Sequence, residues 1–301
     1  MALEAGSAAH QVFAAVRLWQ LGHEDGLPEH FHYHGKRLFK DRFEQMLASA
    51  DPREDERTQR LNFCLTALET SGFHDDPSDK RRTMNNLEEA MIAYIDRWPF
   101  GKWPIWVEDP DDPTSSVGIE VPLDMVITFT MSDGTVEEYR FTGKMDGLHW
   151  DSVERKKLVN HENKTASRLD EAWRNSFEMS SQVTGYCLAA SAWVGTAVTD
   201  ALIHGVSIPL PKSYDYGGIV KEPVSRQNFH FEHWFNWFYH SVSMYNAHKN
   251  NPIPAPRYTH SCNRYFRSCS LLSFCASPDD EKEQILKEMR HEEWSPLHED
   301  A

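Results

Sequence analysis

A chain of 301 residues, 40% hydrophobic and 26% charged, has an ordinary globular composition and enough length to bury a core without staples. A formal charge of −15 excludes a protein that coats nucleic acid indiscriminately. Five cysteines are too few for a disulfide framework at this length, no basic-then-apolar leader opens the chain, and the longest weakly polar run is interrupted by threonines and an aspartate, so neither export nor a membrane span is expected.

The first third predicts helices. "GSAAHQVFAAVRLWQ" sets Val12, Phe13, Val16, Leu18 and Trp19 at helical spacing, and "GKRLFKDRFEQMLA" does the same with Leu38, Phe39, Phe43, Met46 and Leu47. "TQRLNFCLTALETSGF" and "MNNLEEAMIAYIDRW" predict two more, separated by the proline-bearing "HDDPSDKRR". After the turn-rich "VEDPDDPTSS", alternation takes over: "IEVPLDMVITFTM" and "VEEYRFTGKMDGLHW", joined by "SDGT", predict a hairpin, and "KKLVNHENKT" a third strand. "FEMSSQVTGYCLAASAWVG" predicts a helix capped by Ser180 or Ser181, and "TDALIHGVSIPLP" a fourth strand ending at proline. "FEHWFNWFYHSVSMYNAHK" and "DDEKEQILKEMRHEEW" predict helices around a cysteine-bearing tail; no internal repeat interrupts the order. The expected fold is α/β: a central mixed β-sheet flanked by helices in two or three layers, a restriction-endonuclease-like core. One domain is expected over 1–275, with a helical part at about 6–105, a sheet core at about 117–212, and a helix and Cys tail at about 228–275. A charged helix or tail, 276–301, would follow.

The stretch "NHENKT" raises a chemical question. On a strand Glu162 and Lys164 point to the same face. A hard divalent cation such as Mg²⁺ takes oxygen ligands, and a second carboxylate from a neighbouring strand improves the site. Asp146 in "GKMDGL" supplies one. An ammonium beside the metal can position the attacking water and stabilise charge on a pentavalent phosphate, and burial near cations would lower the lysine's pKa and favour proton transfer. The plainer alternative is an exposed salt-bridging pair.

These pieces together resemble the PD-(D/E)XK nuclease superfamily, in the branch of RecB-type exonuclease domains, CRISPR-adaptation nucleases and phage nucleases. "GSAAH" resembles the G-x-x-x-H motif, "GKMDGL" the G-x-x-D motif, "NHENKTASRL" the (D/E)-x-K-T motif and "SSQVTGYCLA" the Q-x-x-x-Y motif, in the family's order. The resemblance implies His10, Asp146 and Glu162 as metal ligands, with the backbone carbonyl of Asn163 adding an oxygen. It implies Lys164 acting on the nucleophilic water, and Gln182 and Tyr186, four apart on one helical face, contacting the substrate backbone or holding the lysine. Glu120, in "GIEVPL", stands where many relatives carry an acid and is a secondary candidate. Read alone, His10 is one of sixteen histidines, Tyr186 fits a core and Gln182 a surface.

"CNRYFRSCSLLSFC" resembles the C-terminal cysteine cluster of the family's iron–sulfur members. The five-residue gap between Cys269 and Cys275 matches, whereas the six-residue gap after Cys262 does not. A [4Fe–4S] cluster needs a fourth thiolate, which in relatives lies upstream of G-x-x-x-H. None of the five residues before Gly6 is a cysteine, so the chain reads as a short-start or truncated member. Cys64 could substitute, His260 could complete a zinc site with the tail cysteines instead, or the three could be packed thiols. Cys187 reads as core. The segment 251–275 holds Arg257, Arg264 and Arg267 and no acid, with Tyr258, His260, Tyr265 and Phe266 among them, which suits a single-stranded nucleic acid. The last 26 residues carry nine acids against three bases.

The expected activity is Mg²⁺- or Mn²⁺-dependent hydrolysis of DNA phosphodiester bonds, an exonuclease on single strands or ends. Its setting would be phage-type DNA processing, recombination or repair in the cytoplasm of a bacterial or phage-infected cell, with no membrane and no identified protein partner. The alternatives are a catalytically weakened nucleic-acid-binding or structural module of the same fold, and a metal-binding protein unrelated to DNA.

Overall fold

The structure is a computed structural model that describes residues 2–23, 30–33, 36–39, 53–109, 112, 115–208, 218–249, 263–264, 267–268 and 271–289. Two compact units divide the chain: Met1–Phe235 with Pro296–Asp300, and Asn236–Ser295 with Ala301.

The first unit opens with α1 (Ala2–Leu21), apolar on nearly every side from Val12 onward, as a helix enclosed by its neighbours must be. Two capped helices cover it. α2 (Glu56–Glu69) starts where the Asp55 side chain accepts the Thr58 N–H at 2.8 Å, and α3 (Met84–Arg97) where Thr83 accepts the Asn86 N–H at 3.2 Å. Val12, Phe13, Val16 and Trp19 of α1 pack with Cys64 and Leu68 of α2 and with Leu87, Met91, Tyr94 and Ile95 of α3. Between α1 and α2 lies a small ladder, β1 (His30–Tyr33) against β2 (Lys36–Phe39), with Tyr33 opposite Lys36. The helix expected over "GKRLFKDRFEQMLA" is thus a strand at Lys36–Phe39; its remainder lies outside the described residues. Two adjacent apolar residues fit either period, and a two-residue link containing Gly35 favours a hairpin.

The sheet has five strands in the order β3-β4-β5-β6-β7. β3 (Ile119–Thr130) and β4 (Val136–Trp150) form the expected hairpin. Its turn is closed by Asp133 accepting from the Thr135 N–H at 2.9 Å, and Gly134 adopts φ 83°. β5 (Leu158–Ala166) runs antiparallel to β4 and parallel to β6 (Asp200–Ser207). A parallel pair needs a long crossover. Here it contains α4 (Glu171–Asn175) and α5 (Ser181–Val194), the latter capped by Ser180 and ended by Gly195 at φ 68°. β7 (Ile219–Ser225) pairs antiparallel with β6 and is an edge strand the sequence did not predict; Pro223 weakens the strand pattern but is tolerated at an edge.

Helices cover both faces. Val206 and Ile208 join the α1–α3 core, while Ala201 and Ile203 pack with Val183 and Cys187 of α5. The expected mixed sheet flanked by helices is observed, in three layers. The boundary between the units falls within α6 (Asn228–Lys249). Beyond it the second unit holds β8 (Asn263–Arg264) paired with β9 (Arg267–Ser268), then α7 (Leu272–Ala276) and α8 (Asp279–Glu288). Among the described residues, no helix is long and apolar enough to cross a membrane.

Candidate metal centre

Three elements of the first unit meet at one point. β3 and β4 pair Ile119 with Gly147 and Val121 with Met145, so Glu120 and Asp146 lie opposite each other between those two pairs. Glu120 has φ 49°, a left-handed conformation that a side-chain-bearing residue holds only at a cost. The alternation of faces breaks there, and Ile119, Glu120 and Val121 are all buried. α1 brings His10, whose Nδ1 is 3.2 Å from Asp146 Oδ1. One ligand atom each from His10, Glu120 and Asp146 lies within 4.8 Å of the other two. Asp146 Oδ2 accepts the backbone N–H of Asn163 at 2.7 Å.

Two lysines complete the cluster. Lys164 Nζ donates to Glu162 Oε2 at 3.0 Å, and Lys144 Nζ lies 2.9 Å from Glu120 Oε2. In both glutamates the other oxygen, Oε1, is buried without a protein partner among the described residues. A buried carboxylate oxygen left unpaired is expensive. The imidazole of His10 with the carboxylates of Glu120 and Asp146 forms a donor set that fits Mg²⁺ or Mn²⁺, whereas Glu162, expected as a ligand, is not in that 4.8 Å group.

The electrostatics follow from this crowding. Burial and then Asp146 raise Glu162 to about 7, against the opposing pull of Lys164 and His10. Burial and Asp146 likewise raise Glu120, against Lys144 and His10. Burial also works to raise Asp146, but His10, Lys164 and Arg17 outweigh it and hold that carboxyl well below its ordinary range. For His10 burial acts downward, and Asp146 and Glu120 reverse it, so its pKa is raised. Lys164 corrects one expectation: burial acts downward, but Glu162 and Asp146 dominate and raise its pKa. It is held as an ammonium, a charge donor rather than a base.

The remaining sequence candidates fall as follows. Tyr186 on α5 covers Gly143, the glycine of "GKMD"; a Cβ there would meet the Tyr186 ring at 2.6 Å, so that position must lack a side chain. Exposed Gln182 donates to the Tyr186 hydroxyl at 3.2 Å. Asn163 enters through its backbone N–H. Cys64 is fully buried in the helical core, where desolvation pushes its thiol up to about 12, and Cys187 is similarly buried and raised on α5. Cys275, on α7 of the second unit, is half-buried. Cys262, Cys269, His260, Arg257, Tyr258, Tyr265 and Phe266 lie outside the described residues.

Sequence reasoning missed the layer on the opposite sheet face. His149, His161 and His204 are buried beside Trp98 and Trp103, with the His149 and His161 rings stacked 4.2 Å apart. Burial, reinforced by Arg17, lowers His149 to about 3. His161 and His204 are also pushed well down by burial. Alternation along β5 and β6 was the available signal, since His161 and His204 occupy the face opposite Glu162 and Ile203.

No protein-family model matches the chain, and no curated protein matches it. Among solved structures, the crystal structure of SSO0001 is similar over 48% of this chain and 55% of that one, at 15% identity and a TM-score of 0.28. The match spans about half the length of that chain, and so slight a likeness bears no weight on function.

Proposed function

We propose that the protein is a Mg²⁺- or Mn²⁺-dependent nuclease that hydrolyses phosphodiester bonds in DNA, an exonuclease working on single strands or ends. The observation that carries the reading is the pair of orphaned buried oxygens, Glu120 Oε1 and Glu162 Oε1, beside the His10–Asp146 contact. His10, Glu120 and Asp146 would hold the cation, with Glu162 alongside. A divalent cation there supplies Lewis-acid charge at the scissile phosphate. Glu162, raised to about 7, can accept a proton from the attacking water near neutral pH. Lys164, kept protonated, directs N–H groups at the charge that develops on the phosphate. Gln182 and Tyr186 would lie beside the passing substrate backbone, as the motif resemblance implies. The choice of DNA, the phage-type setting and a bacterial or host cytoplasm rest on the motif resemblance, as does a [4Fe–4S] cluster at Cys262, Cys269 and Cys275.

The test is cleavage of end-labelled single-stranded and duplex DNA with Mg²⁺, Mn²⁺ or a chelator, for wild type and Asp146→Ala. Metal-dependent cleavage absent from the variant is expected; equal activity of the two proteins overturns the assignment. DNA binding without cleavage would favour the catalytically weakened module. Lys164→Met should lower kcat by about 10²–10³-fold, the usual worth of one donor aimed at charge that develops in the transition state.

A further inference from the structure

Arg17 lies two helical turns beyond His10 on α1, so both project toward the sheet. It is 0% exposed, yet the groups it grips are neutral. Nε donates to His149 Nε2 at 3.2 Å, and one terminal nitrogen donates to its own helix at the Phe13 carbonyl, 3.3 Å away. Both terminal nitrogens reach the side-chain oxygen of Asn163 at 2.8 Å, in the amide orientation that also lets Asn163 Nδ2 donate to the Tyr94 hydroxyl at 3.1 Å. Its hydrogen-bond partners are all neutral, and the Asp146 carboxylate acts on it through space without a direct bond, so the fork orients neutral groups and does not form an ion pair. Its position suggests another purpose.

Asn163 is the middle residue of Glu-Asn-Lys, and its own N–H donates to Asp146 Oδ2. The other oxygen of Asp146 meets His10. A closed circuit results: α1 to Arg17, to the Asn163 amide, through its peptide to Asp146, and back to α1 at His10. Gly147, next to Asp146, belongs to the same construction, since a Cβ there would stand 2.6 Å from Arg17 Nε. A side chain at that position would displace the fork.

We infer that Arg17 is a positioning residue for the metal centre. By fixing Asn163 it aims the Asp146 carboxylate and so sets the affinity for a divalent cation. The inference rests on reading the site as a metal centre and does not depend on the substrate. Partners that orient metal ligands typically change affinity by about 10–100-fold when removed, and that is the range expected here.

The experiment is Mn²⁺ titration of the full chain, followed by the loss of the free-ion electron paramagnetic signal. Arg17→Lys and Asn163→Leu should each raise Kd by about 10–100-fold, and the double variant should bind no more weakly than the weaker single, because both break one circuit. Leu87→Ala, a core truncation in α3, serves as the stability control and should keep the wild-type Kd within about twofold. If either buried variant fails to fold, Tyr94→Phe, which deletes one hydroxyl, should still raise Kd about fivefold. Wild-type Kd in Arg17→Lys or Tyr94→Phe, additive losses in the double variant, or an equal loss in Leu87→Ala would each overturn the inference. A wild type that binds no Mn²⁺ would instead remove the metal-centre reading beneath it.

Discussion

His204 offers a test of how the buried layer under the site limits the protein at acid pH. The ring is fully buried, its centroid 5.1 Å from Trp98, 5.6 Å from Trp103 and 5.2 Å from His161, and neither nitrogen has a protein partner among the described residues. Burial, then Arg17 and Lys221, push its pKa well below 6.5, so the folded protein keeps it neutral. The unfolded chain takes up the proton near pH 6.5. Between the two values the unfolded state binds more protons, so His204 costs stability increasingly as pH falls through about 6.5. In His204→Leu two terms change. Removing an unmet buried N–H gains about 1–3 kcal/mol at neutral pH, and Leu is close enough in volume to limit repacking. The proton-linked term is nearly zero at about pH 7.5 and about 1.4 kcal/mol at about pH 5.5, from RT ln(1 + 10^(pKa − pH)). Urea unfolding followed by tryptophan fluorescence should therefore show the variant more stable at both pH values, with an advantage about 1.4 kcal/mol larger at the lower one. Glu162, raised in the fold to about 7, titrates in the opposite sense over the same range, and Glu120 is raised as well, but both proteins carry them and they cancel in the difference. An advantage independent of pH, or a variant less stable at both, would refute the reasoning.

Three further outcomes follow from the site. Mn²⁺ at about a hundred times its Kd should stabilise the wild type against urea by about 2.7 kcal/mol and leave Asp146→Ala unchanged. Glu120→Gly should stabilise the metal-free protein by about 1 kcal/mol, because glycine holds φ 49° without strain and the buried acid is gone, while calorimetry should show weaker Mn²⁺ binding. Gly143→Ala should cost about 1–3 kcal/mol in urea unfolding, since its Cβ would sit 2.6 Å from the Tyr186 ring.

What could be read from the sequence divides along physical lines. Strand parity alone puts Glu162 and Lys164 on one face, and they do form a pair at 3.0 Å. Helical spacing alone links Gln182 to Tyr186. Turn chemistry marked the β3–β4 hairpin, and Ser180 marked the start of α5. Glu120 was visible only as a secondary candidate, because the residue that brings it into the cluster is itself the exception to alternation. Arg17 was invisible. In "AAVRLWQ" an arginine reads as the polar edge of a helix, and only the packing of α1 against the sheet shows that this edge is enclosed. The β1–β2 ladder failed for a third reason: four residues are too few to separate a period of 2 from one of 3.6.

The charge balance of the cluster explains how so acidic a pocket survives in a folded chain. Each buried acid faces its own base: Glu120 faces Lys144, Glu162 faces Lys164, and Asp146 faces His10. Both lysines are partly exposed, at 28% and 24%, while their carboxylates are 2% and 1% exposed, so the bases sit on the solvent side of the acids. Such pairing lowers the cost of burying the acids: it holds Asp146 ionised and offsets part of the burial that raises Glu120 and Glu162. It also leaves the positive ends toward solvent, and one oxygen of each glutamate buried without a protein partner among the described residues. An arrangement built for stability alone would have met both needs with apolar side chains, as the α5 face does with Ala201 and Ile203 one strand away.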